Sequence, residues 1–242
     1  MQNETFYPLF EPLEWDSDLF GYRVARVVLE REPSDSEIEQ LQGLAAEKRM
    51  RLVYLSWPCV TSRLQARKGL SYIGTKVEFE RDLQGCDYPK IPEVSICRNL
   101  TEPIRNLALE SGKFSRFHSD SNFTNGEFRL LYDRWIENAF YPSGSSSCLV
   151  YGSPDDPDGL ITLERPPETG RSLRIGLLAI HRRARRGGFG RRLVQAAMAV
   201  AASEIRLRVL VATQGENGVA MSFYAKVGFH PVTTTAIAHM WI

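Results

Sequence analysis

Between Leu173 and Leu193 the sequence reads LRIGLLAIHRRARRGGFGRRL, and these are residue types that hold an anion. Leu173, Ile175, Leu177, Leu178 and Ile180 make an apolar run of strand length. The run breaks into a cationic turn with Arg182, Arg183, Arg185, Arg186, Gly187, Gly188 and Gly190. Phe189, Leu193, Ala196, Ala197 and Val200 then recur at helical spacing. A strand, a glycine turn and a helix start leave backbone N–H groups unpartnered and directed at whatever lies before the helix. Glycine lets the backbone approach that group, because no Cβ intervenes. The chemistry indicated is phosphate binding. Neither the Rossmann Gly-x-Gly-x-x-Gly pattern nor the Walker loop is present, so the phosphate is held in some other frame.

A second motif, Asn217 to Phe229 (NGVAMSFYAKVGF), follows about thirty residues on. Asn217 stands where a helix N-cap would, Ala220, Phe223, Tyr224 and Val227 form an apolar stripe, and Gly228 suits the residue that ends the helix. Between the motifs, Leu207–Ala212 reads as a strand. The spacing Arg185-x-x-Gly188-x-Gly190 resembles the acetyl-CoA pyrophosphate loop of the GNAT superfamily of N-acetyltransferases, and Asn217–Phe229 resembles the element that follows it there. The resemblance implies acetyl-CoA as co-substrate and no metal. It implies that the backbone of Leu178, Ala179 and Ile180 orients the pantetheine arm. It also implies that Arg185, Arg186, Gly187, Gly188, Gly190, Arg191, Asn217 and Tyr224 contact the cofactor, with Tyr224 protonating the departing thiolate. One departure is that Leu178-Ala179-Ile180 lacks the proline that many members carry before the loop.

The elements that must position these residues fit a chain of 242 residues with 43% hydrophobic and 24% charged content, ordinary for a globular protein. A net charge of +1 argues against nucleic acid as a partner. Cys59, Cys86, Cys97 and Cys148 are scattered without metal-ligand spacing and read as free thiols in a reducing cytoplasm. No apolar run is long enough to span a membrane and no signal peptide opens the chain.

Two modules are expected, 1–90 and 91–242, joined by Gln84–Pro92. In the first, RVARVVL is a strand and Ser34–Glu37 a capping box opening a helix with Ile38, Leu41, Leu44 and Ala45 on one face. Arg51–Ser56 and Tyr72–Phe79 are strands, and Thr61–Lys68 a short helix. Ala66–Leu70 repeats the helix–glycine–strand join of Ala225–Phe229, which suggests a degenerate copy of the second module without its anion loop. In the second module Glu93–Cys97 is a strand and Thr101 caps a helix. Gly112–Asn122 is a loop, and Thr124 with Glu127 form a capping box ahead of Phe128, Leu131, Tyr132, Trp135 and Ala139. Cys148–Tyr151 and Leu160–Leu163 flank a turn over Ser153–Gly159, and a last strand ends at Ile242. The fold class expected is α/β (α+β), and the element order matches the GNAT fold over roughly 93–242. That implies a mixed central sheet flanked by helices, with a smaller N-terminal α/β module resembling a partial GNAT half and forming one wall of the acceptor pocket.

A narrower likeness is to the dTDP-fucosamine acetyltransferases. It is carried by Glu14–Ser17, Phe20-Gly21, Phe114–Phe117, Tyr132-x-x-Trp135–Ala139, Arg174–Leu178 and Val211–Asn217. It implies acetylation of the 4-amino group of a dTDP-linked 4-amino-4,6-dideoxyhexose used in bacterial surface glycans. Arg116, Phe117 and His118 are then the acceptor-binding candidates, an arginine suiting a diphosphate and an aromatic a base or sugar face. Glu78 and Glu164 are the carboxylates that could take the ammonium proton, with a water chain as the alternative. Other readings stay open: another small amine or a protein amine as acceptor, or a non-catalytic acetyl-CoA-binding module. A homodimer is also open.

Overall fold

The chain builds one ten-stranded sheet from two β-α-β units that exchange their last strands. The computed structural model describes residues 8–59, 67–85, 87–141, 146–167 and 170–242. The first unit comprises β1 (Glu11–Pro12), α1 (Glu14–Phe20), β2 (Val24–Val28), α2 (Asp35–Glu47), β3 (Leu52–Pro58) and β4 (Tyr72–Asp82). The second comprises β5 (Val94–Cys97), α3 (Glu102–Ser111), α4 (Arg116–Ser119), α5 (Glu127–Asn138), β6 (Ser146–Ser153), β7 (Asp156–Glu164), β8 (Ser172–Ile180), α6 (Phe189–Ser203), β9 (Arg208–Gln214), α7 (Gly218–Lys226) and β10 (His230–Trp241). The expected helix over Thr61–Lys68 falls largely outside the described residues.

The strand order is β1-β2-β3-β10-β4-β9-β8-β7-β6-β5. Read from the β10/β4 pair outward, the two directions mirror each other. An antiparallel strand belonging to the other unit is followed by a parallel pair with a helical crossover (β2-α2-β3 or β8-α6-β9). The joins that echo in sequence also echo in backbone, with Gly69 at φ +86° and Gly228 at φ +88°, the left-handed turn glycine tolerates best. The sheet is hydrogen-bonded continuously across residue 90, because β10 pairs with both β3 and β4.

Register sets the faces. Val77 lies opposite Thr234, and Thr75 opposite Ala236, so the core under α6 and α7 and the core under α2 share one side. The other side is covered by α1, α3, α4 and α5. There Val24, Leu52 and Tyr54 from one end of the sheet join Cys148, Val150, Leu160 and Leu177 from the other in a single cluster. The sheet therefore curls around these helices and encloses the space above its central strands.

Several local expectations are corrected. The Ser34–Glu37 capping box forms, but that of Thr124 and Glu127 does not. α5 starts after Gly126 at φ +79°, and the buried Glu127 carboxylate instead accepts from Asn125 N–H (2.8 Å) and Tyr22 Oη (3.3 Å). Thr101 precedes α3 without capping it, since its hydroxyl donates to the Pro154 carbonyl at 2.7 Å. The Ser153–Gly159 turn shrinks to Pro154–Asp155, as β6 and β7 extend to Ser153 and Asp156. The Gly112–Asn122 loop contains the helical turn α4, which sends Phe117 inward and His118 outward.

Candidate active site

A parting of two strands builds the site. β8 runs parallel to β9 only from Ser172 to Ile175, opposite Arg208 to Val211. Beyond Ile175 the strands separate. On its other edge β8 stays paired with β7, but with one residue too many: Ile161 opposes Leu178 while Leu163 opposes Ile175. The surplus is a β-bulge at Gly176–Leu177. It reverses the side chains, so that Leu178 and Ile180 rejoin the core of Leu173 and Ile175 while Leu177 and Ala179 face the opposite one.

The bulge turns the backbone as well. His181 donates to the Asp158 carbonyl (2.8 Å), and antiparallel alternation then places Leu178 and Ile180 with N–H and C=O directed away from β7. Across the gap, Gly215 donates to Thr75 (3.0 Å), so Ala212 and Gln214 direct theirs away from β4 by the same alternation. The result is a slot with peptide groups on both walls, suited to the amides of an extended arm such as pantetheine. Leu178 and Ile180 from the sequence analysis face this slot; Ala179 is turned to β7.

At the slot's mouth the 3₁₀ turn Arg182–Ala184 leads to α6, whose N-cap is Gly188 at φ +80°, with no side-chain cap and no acidic residue in the first turn. The N–H groups of Phe189, Gly190 and Arg191 have no preceding turn to bond and face outward with the helix dipole behind them. The loop fits a pyrophosphate. The arginines of the loop differ in the partners they already have. Arg185 bonds the Ile180 carbonyl (3.3 Å) and Glu110 of α3 (3.4 Å), and Arg182 also reaches Glu110 (3.6 Å). Arg183 is paired with Asp156 and Asp158. Arg186 and Arg191 have no carboxylate partner among the described residues, and Arg191 lines a cavity of about 490 Å³ with Arg81, Lys226, Asp87 and Tyr88. A Cβ at Gly190 would meet the Phe223 ring at 3.3 Å, so this glycine serves the packing of α6 on α7; Gly188 is required by its positive φ.

α7 brings Tyr224 to the same region. Asn217 caps the helix as its position in the motif predicts, its Oδ1 accepting from Ala220 N–H at 3.1 Å. Tyr224 is 6% exposed, with its ring against Phe79, Phe223 and Phe229. Burial pushes its pKa above the ordinary phenol value, so the hydroxyl stays protonated and keeps a proton to donate.

On the opposite face of the sheet, a cavity of about 330 Å³ lies against the bulge, lined by Trp15, Trp135, Asn138, Thr162, Glu164 and Arg165 among others. Glu164 leans over Gly176, where a Cβ would collide with the carboxylate. Arg165 is neutralised by Glu204 at 2.7 Å. Glu78 lies on β4 opposite Ala212 of the slot wall and is paired with Lys76 at 2.8 Å. Arg116 sits over Tyr54, 4.2 Å from its ring centroid, and over Phe117 at 4.7 Å. Among the described residues no carboxylate is within ion-pair distance of it, and burial lowers its pKa; the charges nearby include Asp16, which receives the Tyr54 hydroxyl at 3.3 Å. Phe117 itself is a core aromatic, 6% exposed, and His118 is outside, against Phe128 and far from Arg116's side of the turn. Trp15, Trp135 and Thr162 were not expected here. The signals for them were a tryptophan on a short helix, another beside a buried stripe, and a hydroxyl inside an apolar strand.

Comparison with known proteins agrees with this geometry. Residues 114–229 match the model of the acetyltransferase (GNAT) family. No curated protein matches the chain in sequence. Among solved structures, a functionally unknown conserved protein from Staphylococcus epidermidis superposes with TM-score 0.60 at 12% identity, covering 90% of this chain and 84% of that one. A GCN5-related N-acetyltransferase from Sphaerobacter thermophilus gives 0.55 at 13% identity, over 90% and 73%. A tandem GNAT protein from the clavulanic acid biosynthesis pathway gives 0.54 at 15% identity, over 90% and 75%. At these identities the likeness is one of fold.

Proposed function

We propose that the protein is a GNAT-superfamily acetyltransferase and that it acetylates the 4-amino group of a dTDP-linked 4-amino-4,6-dideoxyhexose; the family match over residues 114–229 and the fold around it support the first part of this reading. The slot between β8 and β9 carries the acetyl-CoA part of this reading. In it the arm lies along Leu178, Ile180, Ala212 and Gln214, and the pyrophosphate meets the first turn of α6 and Arg186. An acceptor ammonium approaches from the cavity under Trp15 and Trp135, loses a proton to Glu164 and attacks the thioester carbon as the neutral amine. The C–N bond forms and the oxygen takes the charge; the nitrogen then sheds its second proton to solvent as the C–S bond breaks. The Leu178 N–H is a donor for that oxygen and Tyr224 a proton source for the sulfur. Most of the rate gain comes from holding amine and thioester together.

Arg116 is the observation that favours an anionic acceptor. A partly buried guanidinium with Asp16 near it but no carboxylate within ion-pair distance keeps donors to spare, and a diphosphate would engage them with charge-assisted hydrogen bonds. Trp15 and Trp135 offer flat apolar faces of the kind a deoxysugar packs on. The test is thiol release from acetyl-CoA with the dTDP-amino sugar, the free amino sugar, an amino acid and a basic peptide. The nucleotide sugar should give the highest kcat/KM, and Arg116→Ala should depress it without changing acetyl-CoA affinity. Equal turnover of the free sugar or the peptide replaces this acceptor with a generic small amine or a protein amine.

A further inference from the structure

Thr162 interrupts the apolar run of β7 and is 3% exposed. A hydroxyl buried there is unfavourable unless bonded, and its Oγ1 accepts the Leu177 N–H at 2.7 Å. This is the surplus residue of the bulge, held by a side chain where an unbroken ladder would use a backbone carbonyl. We infer that Thr162 is a positioning residue for acyl transfer: its hydroxyl holds the extra residue of β8 and thereby turns the Leu178 N–H into the slot. The catalytic part of this inference rests on the acyl-transfer reading above.

The register shows what the bulge decides. Without the extra residue, the Leu163–Ile175 pair would be followed by Ile161 opposite Leu177 and Leu160 opposite Leu178. Leu160 occupies a hydrogen-bonded position of the ladder, so it would consume the Leu178 N–H and C=O. Leu177 and Ala179 would then face β9, and the side chains of Leu178 and Ile180 would leave the core they now fill. Gly176 belongs to the same device. A Cβ on it would lie 2.8 Å from Thr162 Oγ1 and collide with Glu164, so only glycine lets the bulge close on the threonine. Thr162 also lines the acceptor cavity, so the group that sets the slot's donor touches the space from which the amine arrives.

Thr162→Val keeps the shape and removes the acceptor, whereas Thr162→Ser keeps the acceptor and removes a methyl group. Amide hydrogen exchange of the full chain without ligand reads the backbone directly. In the wild type Leu178 should exchange faster than Ala179; Thr162→Val should slow Leu178 and Thr162→Ser should not. In turnover, Thr162→Val should lose kcat by roughly 10²–10³-fold, the scale of a lost oxyanion donor. Its acetyl-CoA affinity should fall by less, within about tenfold, because the β9 wall and the loop before α6 are untouched, and serine should restore both, a rescue that a general loss of stability does not produce. Unchanged Leu178 exchange in the valine variant, wild-type turnover by it, or a serine variant as impaired as valine would each overturn the inference. A wild type that binds acetyl-CoA but never turns it over defeats the acyl-transfer reading and the catalytic role with it, while the exchange data judge the hold on the bulge by themselves.

Discussion

The β2-α2-β3 and β8-α6-β9 units are the same construction with opposite outcomes. In the first, β2 and β3 pair residue for residue from Val24–Leu52 to Val28–Ser56. In the second, pairing stops at Ile175–Val211 and the strands part. The helix starts differ in the same sense. At α2, Ser34 accepts from Glu37 N–H (3.3 Å) and the Glu37 carboxylate accepts from Ser34 N–H (2.7 Å), with Arg31 closing on it at 2.8 Å. At α6 the corresponding positions are Gly188 and Arg191, which offer neither a cap nor an anion. One unit supplies its own negative charge and every strand partner. The other withholds both, and backbone groups directed into the gap and away from the helix start are the consequence. A site can thus be made by removing local partners from a scaffold that is otherwise complete.

The largest effect is expected where the open unit meets its proton donor. Tyr224→Phe should lower kcat by on the order of 10²–10⁴-fold with little change in the acetyl-CoA KM, measured by thiol release. Because burial raises the Tyr224 pKa, loss of its proton should not contribute a falling limb to the pH profile below the ordinary tyrosine range. Full activity in the phenylalanine variant would make Tyr224 a core aromatic and nothing more.

A swap of helix-start chemistry tests the comparison itself. Arg191→Glu places at α6 the acid that Glu37 supplies at α2, and should weaken acetyl-CoA binding roughly ten- to hundredfold by calorimetry, the scale of losing charge-assisted hydrogen bonds. The thermal midpoint should hardly move, because a glutamate suits a helix N-terminus. Unaltered affinity would show that the open helix start is not where the phosphates sit.

The smallest effect belongs to the closed unit. Ser34→Ala should cost about 1 kcal/mol of stability and leave acetyl-CoA affinity alone. The Glu37 carboxyl is held down to about 2, first by its hydrogen bond from Arg31 and then by Ser34. Its folded pKa lies below the ordinary 4.5, so its stabilisation is present above that value and is lost as pH falls toward about 2. The thermal gap between wild type and Glu37→Gln should therefore close across that window. A gap that persists at the acid end would assign the stabilisation to something other than the ionised carboxylate.

Much of this was readable along the chain because it depends on neighbours in sequence. Period and caps sufficed for the Ser34 box, the Asn217 cap, the left-handed Gly228 and the strand–turn–helix around Gly188. The same local logic misplaced Thr124 and Thr101, since their partners were to be chosen by packing: Tyr22 came to Glu127 and Pro154 to Thr101. Nor does it show that Glu110, 75 residues away, stands within reach of Arg185. Gly176 and Thr162 were both visible as anomalies inside apolar strands, yet neither implies the other until β7 and β8 lie side by side. The exchange of β4 and β10 between units, the curl that brings Trp15 into one cavity with Thr162 and Glu164, and the parting of β8 from β9 are all pairings of distant segments. Sequence determines which residues can make a strand, a cap or a cationic turn, because those choices are settled within a few residues. Which donors are left without partners is settled only by which strands fail to meet, and that is a property of the folded sheet.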